Sequence, residues 1–275
     1  MTDTYRVIGP PGTGKTDALQ RTVAAWIDRD GYAPEDIVLT SFTKSAAAVL
    51  AGRIDVPREN IATLHALAYR ALGSPPLAER GDLAKRWNAG HAHLPSWQVD
   101  GGVSDEDDGL TLPDAELGEQ MRLYSLARCK LLPAAHPLYS MTAAFAAEWE
   151  DWKRETGSID FADMLDLALC ERPLLDKPVF IVDEAQDLVP LQWLLAKHWG
   201  SAAERFVVAG DPAQVLYRFA GADPVSMLEP LEGERLWPLT QSYRLPVAVQ
   251  AHAERYLARH TGAMMAGREY RPRAA

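Results

Sequence analysis

Gly9-Pro10-Pro11-Gly12-Thr13-Gly14-Lys15-Thr16 has the spacing G-x-x-x-x-G-K-[ST] at every defined position. Residues of these types in this order bind polyphosphate. The glycines let successive main-chain N–H groups curl inward, Lys15 carries a point charge to the β- and γ-phosphates, and the Thr16 hydroxyl can ligate Mg²⁺. A second constellation lies far along the chain, where the apolar run Val179-Phe180-Ile181-Val182 leads into Asp183-Glu184. A carboxylate at the tip of a buried strand is placed to hold Mg²⁺ through water, and its neighbour to orient or deprotonate an attacking water. Paired carboxylates beyond a phosphate loop point to hydrolysis of a nucleoside triphosphate, since most small-molecule kinases have no water to activate.

Such groups work only on elements that place them. Residues 4–8 form a short apolar run before the glycine loop, and a helix pattern from Lys15 to Arg29 puts Leu19, Val23 and Trp26 on one face. Strand patterns recur at 36–40, 61–63, 179–182, 206–209 and 236–240, with helix patterns at 44–51, 64–72, 161–169 and 191–199. Alternating strands and helices predict a parallel sheet with both faces covered, an α/β fold. The stretch 74–157 shows no convincing strand. It reads as helical pieces, chiefly 115–131 and 138–154, broken by Pro75-Pro76 and by an acidic, glycine-rich tract at 100–108 that reads as a solvated loop. Trp149 and Trp152 read as a core stripe of that helical block.

Composition narrows the partners. Twenty-eight basic against 38 acidic residues give a net charge of −10, which argues against coating duplex DNA through bulk charge but permits a narrow groove gripping a single strand. No apolar run approaches the roughly 20 residues of a membrane span, and the first residues lack the pattern of a signal peptide. Two cysteines, Cys129 and Cys170, cannot build a disulfide framework, so a cytoplasmic location is expected.

The run Val182-Asp183-Glu184-Ala185-Gln186-Asp187 resembles motif II of superfamily 1 helicases of the UvrD/Rep/PcrA type, and further runs resemble that family's motifs in its order. They are 39–47 (motif Ia), Thr63-Leu64-His65 (a Thr-x-His segment), 159–164 (re-entry to the core), 210–219 (motif III) and 239–244 (motif IV). The resemblance implies a P-loop NTPase, RecA-like core that hydrolyses ATP with Mg²⁺ while holding single-stranded DNA. On this resemblance Gly9, Pro10, Pro11, Gly12, Thr13, Gly14, Lys15, Thr16 and Tyr243 bind the nucleotide, and Thr16 and Asp183 hold the metal. Lys15, Glu184, Gln214 and Arg244 form the catalytic set, with Gln214 sensing the γ-phosphate and Arg244 acting as an arginine finger. Phe42, Tyr217 and Phe219 suit base stacking; Thr43, Thr63 and His65 suit contacts to phosphate or sugar.

The expected division is an ATP-binding core at 1–73 and 156–235, a helical insertion at 74–155, and the start of a second core domain at 236–275. Asp17 and Ala220 stand where relatives often carry arginine. The rest of the second core domain lies outside the resemblance, so a partner chain supplying it is expected and unwinding by this polypeptide alone is not. Two alternatives stay open: a nucleotide- and strand-binding module without steady turnover, or a P-loop kinase of a metabolite.

Overall fold

The computed structural model describes residues 2–42, 44–99, 118–170, 175–260 and 271. In chain order its longer elements are β1 (Asp3–Ile8), α1 (Lys15–Asp30), β2 (Ile37–Thr40), α2 (Lys44–Ala51), β3 (Ile61–Ala62), α3 (Leu64–Ala71), α4 (Gly81–Gly90), α5 (Glu119–Cys129), α6 (Pro137–Met141), α7 (Ala143–Thr156), α8 (Phe161–Cys170), β4 (Val179–Val182), α9 (Pro190–Ala202), β5 (Arg205–Gly210), α10 (Pro224–Leu228), β6 (Arg235–Pro238) and α11 (Val247–His260). Two compact units result, one of Met1–Ala62, Asp176–Leu188 and Ala196–Ala275, the other of Thr63–Leu175 and Val189–Leu195.

The first unit is built on a six-stranded sheet in the order β3-β2-β4-β5-β1-β6, with every pair parallel. The α/β reading of the sequence holds. Strands β2 (Ile37-Val38-Leu39-Thr40) and β4 (Val179-Phe180-Ile181-Val182) are buried at all four positions, as strands of a covered parallel sheet must be. The α1 stripe of Leu19 and Val23 packs with Val7, Leu39, Ile181 and Val207 into one core, each such side chain contributing about 1.5–3 kcal/mol. The outer strand β6 is exposed at every position. It is tied in from below by Arg6, a buried guanidinium in β1 that forms an ion pair with Glu234 and donates to the carbonyls of Met227 and Glu229.

This strand order determines where the site can form. Parallel strands all end on one edge, and ligands of open α/β sheets bind outside those carboxyl ends. The neighbours β4, β5, β1 and β6 lead directly into the 183–187, 211–217, 9–16 and 239–245 segments.

In the second unit Trp87 is the centre of an aromatic cluster. Trp149 meets it edge-on at 4.8 Å and Phe145 at 5.9 Å, while His91 stacks on it at 3.9 Å. Trp149 is fully buried, as the stripe reading expects. The helix predicted over 138–154 is two helices. Thr142 leaves the helical conformation (φ −105°, ψ 6°), which separates α6 from α7; its hydroxyl donates to the Leu138 carbonyl at 2.8 Å. The 100–108 tract and the start of the 115–131 helix lie outside the described residues.

Beneath the aromatic cluster is a buried charge network. Asp160, fully buried, accepts hydrogen bonds from Trp149 Nε1 (3.0 Å), Lys153 Nζ (2.8 Å) and Arg128 (3.2 Å). Burial pushes its carboxyl up, but Arg128 and Lys153 outweigh burial and hold it below the usual range. Removing the carboxylate takes the most buried anion from a network in which Arg128 and Lys153 keep Glu150, Asp163 and Asp166, and leaves Trp149 Nε1 without its acceptor, so Asp160→Ala is expected to lose about 1–3 kcal/mol. Thermal unfolding followed by tryptophan fluorescence checks this, and an unchanged midpoint would contradict it.

Candidate functional site

The 9–16 loop runs from β1 into α1. Thr13 donates its hydroxyl to the Pro10 carbonyl at 2.9 Å, and Lys15 Nζ donates to the Gly9 carbonyl at 2.9 Å, folding the lysine back along the loop. Gly12 and Gly14 adopt φ of 73° and 79°, the left-handed region that glycine enters without steric cost. Gly14 is the N-cap of α1, so the loop ends on the positive end of the helix dipole.

The segment after β6 closes on this loop. Tyr243 N–H donates to the Gly12 carbonyl at 2.8 Å and the Ser242 hydroxyl to the Pro11 carbonyl at 2.9 Å. Ser242 is fully buried, and its Oγ also accepts from the N–H groups of Arg244 and Leu245. A Cβ at Gly12 would lie 2.3 Å from the Arg244 Cβ. Gly12→Ala is therefore expected to pry residues 242–245 off the loop, besides straining the backbone by about 1–2 kcal/mol. Nucleotide affinity should fall at least about tenfold, read by titration with a fluorescent ATP analogue; unchanged affinity would contradict the close approach.

Two strands from β1, Asp183 is 4% exposed and its N–H donates to the Thr40 carbonyl at 2.8 Å. Burial pushes its carboxyl up to about 7, with repulsion from Glu184 adding to the rise, while the Glu184 N–H and the positive charge of Lys15 pull the other way. Lys15 and Asp183 thus act on each other electrostatically. Glu184 has φ 52° and ψ 39°, a left-handed conformation that costs a non-glycine residue of order 1–3 kcal/mol and occurs preferentially at functional sites. The Thr40 and Ser41 hydroxyls, at the end of β2, are buried without a partner among the described residues.

These features fit Mg²⁺ and a polyphosphate. Thr16 and Asp183 offer oxygen donors only, which suits a small hard cation. The N-terminus of α1 and Lys15 suit phosphate oxygens.

Between the two ends is β5, and it delivers Gln214. The Gln214 amide donates to Asp211 Oδ2 at 2.6 Å, and Asp211 caps the short turn 212–214 through the Ala213 N–H. Sequence reasoning assigned no role to Gln186 or Asp187, although both stand inside the motif II run. Gln186, 2% exposed, donates to Glu184 Oε2 at 2.7 Å and accepts from the Asp211 N–H at 2.9 Å. It also reaches Asp187 at 3.4 Å, and Asp187 accepts from the backbone N–H groups of Leu216 and Tyr217. A continuous polar chain therefore runs from the Glu184 carboxylate to the loop that carries Tyr217.

Tyr217 lies over Phe42, ring centroids 4.7 Å apart and tilted by 40°, and Phe219 follows at 6.0 Å. Phe42 is 5% exposed, so Tyr217 covers it, whereas Phe219 is 57% exposed. The accessible rings are thus half-buried Tyr217 and exposed Phe219, with Phe42 beneath Tyr217. Tyr243 and Arg244 are exposed beside the glycine loop. Thr43 lies outside the described residues. Thr63 and His65 belong to the other compact unit. Thr63 is the N-cap of α3, its hydroxyl oxygen accepting from the Ala66 N–H at 3.2 Å. Burial lowers the His65 imidazole to about 4, leaving it neutral at physiological pH.

Comparison with known proteins agrees in extent and kind. The model of the UvrD/REP helicase N-terminal domain matches residues 1–232. A Bacillus subtilis protein provisionally named as the ATP-dependent DNA helicase YjcD is 25% identical over 86% of this chain and 34% of its own length. The ATP-dependent DNA helicase UvrD2 of Mycobacterium tuberculosis is 24% identical over 81% of this chain and 36% of its own. DNA helicase IV of Escherichia coli is 25% identical over 93% and 45%. The chain spans about a third of the length of the first two relatives. Among the described residues no helix is long and apolar enough to cross a membrane.

Proposed function

The chain belongs to the UvrD/REP helicase N-terminal domain family, and from that premise we propose that it binds ATP with Mg²⁺, hydrolyses it, and couples hydrolysis to a grip on single-stranded DNA. The carrying observation is the convergence of the glycine loop, the Asp183-Glu184 pair, the Gln214 turn and the 242–245 segment on four adjacent strand ends. In this reading the loop amides and Lys15 bind the β- and γ-phosphates, and Thr16 and Asp183 hold Mg²⁺. When bound, the cation supplies neutralisation of charge on the phosphate oxygens. Glu184 orients the attacking water and takes its proton; its strained backbone and the Gln186 hydrogen bond restrict where the carboxylate points. Gln214 and Arg244 stabilise charge at the γ-phosphate, and Tyr243 stacks on the base. Tyr217 and Phe219 stack on unpaired bases of the strand, a mode indifferent to sequence, while Thr43, Thr63 and His65 contact its backbone.

The domain division that goes with this proposal is a core at 1–73 and 156–235, an insertion at 74–155 and the start of a second core domain at 236–275. Directional movement along the strand needs two core domains that close and open around ATP. A cytoplasmic setting suits such work. Phosphate release, measured with and without oligothymidylate, tests the proposal. Release that rises with the oligonucleotide is expected; tight ATP binding with no release would favour a non-hydrolysing module instead.

A further inference from the structure

We propose that Gln192 is a positioning residue that fixes His65 as the neutral tautomer with its proton on Nε2, so that this N–H donates to a phosphate oxygen of a bound single strand. The donation rests on the proposed grip on DNA; the tautomer does not.

Gln192 stands on α9, is 3% exposed, and has an amide whose orientation is determined by its neighbours. The Val189 N–H donates to Gln192 Oε1 at 2.9 Å, so the oxygen must face Val189. The amide NH₂ therefore faces the other way, where it lies 3.4 Å from His65 Nδ1. An NH₂ group can only donate, so Nδ1 must accept and the ring proton must sit on Nε2. A second contact fixes the ring plane: Phe161 meets the imidazole edge-on at 5.9 Å and 83°. His65 is also the second residue of α3, after the Thr63 cap, where the positive end of the helix dipole disfavours an imidazolium. Burial acts in the same direction. The half-buried neutral imidazole keeps one donor, Nε2–H, that Gln192 does not engage, a hydrogen-bonding probe that adds no charge. In a chain of net charge −10, it grips a phosphate through geometry rather than through counter-ion release.

The test begins on the wild-type protein, with long-range ¹H–¹⁵N spectra of the histidine rings at pH 7, His65 assigned by its loss in His65→Gln. The Nε2–H pattern is expected; an Nδ1–H or imidazolium pattern overturns the role of Gln192. Gln192→Glu keeps the size and the acceptor for Val189 but replaces the donor with an acceptor, so the proton should move to Nδ1. The same change should weaken binding of a fluorescent oligothymidylate by about tenfold, the loss of one well-aligned hydrogen bond. His65→Gln should weaken binding without altering its salt dependence. A fall of about 0.7 in the log–log salt slope would mean a charged histidine and overturn the proposal. A wild type that shows the Nε2–H pattern yet binds no oligothymidylate would overturn the DNA reading, and with it the donation, while leaving the tautomer in place.

Discussion

Glu184→Gln is expected to bind Mg·ATP about as tightly as the wild type and to release phosphate about 10²–10⁴-fold more slowly, the usual range for losing a general base. Gln has nearly the size of Glu and can keep a polar contact with Gln186, so the left-handed turn at 184 and the chain through Gln186 to Asp211 should survive. What disappears is the capacity to accept a proton from water. Single-turnover phosphate release together with nucleotide titration separates the two effects. A variant that turns over at the wild-type rate would remove Glu184 from the chemistry, and one that loses ATP affinity would mean its carboxylate serves binding instead.

Asp183→Asn is expected to gain stability and lose turnover. The sign follows from the carboxyl being held near 7, against an ordinary value of 3.8, chiefly by burial. Between those values the folded protein keeps a proton that the unfolded chain releases. Stability therefore falls as pH rises through this window, and the full cost is present above about pH 7. Asn carries no charge and avoids it. At pH 8 the variant should be more stable by about 2–4 kcal/mol, a shift of several degrees in melting temperature, and at pH 4 the difference should vanish. Hydrolysis should fall strongly, because in the proposed site a neutral amide oxygen holds a hard cation more weakly than a carboxylate and offsets none of its charge. A variant that melts below the wild type at pH 8 would contradict the buried, costly carboxylate. This is stability given up for function at one residue.

The parts that the sequence states by local rules were legible. The apolar runs at 179–182 and 206–209 became β4 and β5, and the glycine loop opened α1 where the motif requires it. Loop aromatics were less legible. Phe42, Tyr217 and Phe219 look alike in sequence because a loop has no periodicity to say which ring faces water, and only packing shows Phe42 beneath Tyr217. The break between α6 and α7 turns on the backbone of one residue, Thr142, which no local pattern marks. Least legible were the polar partners. Gln192 is 127 residues from His65, and Gln186 and Asp211 are 25 apart, so no spacing rule joins them. Ser242 shows its importance only once β6 lies beside β1 and carries it onto the glycine loop.

In this reading the loop at 9–16 and the carboxylates at 183–184 form one Mg·ATP site. Isothermal titration calorimetry with a non-hydrolysable Mg·ATP analogue tests it most directly, comparing the wild type with Lys15→Ala and with the analogue in excess EDTA. Saturable heat at one site per chain in the wild type, abolished by Lys15→Ala and strongly reduced by EDTA, is the predicted result. No heat in the wild type, or heat indifferent to both Lys15 and the metal, would contradict it.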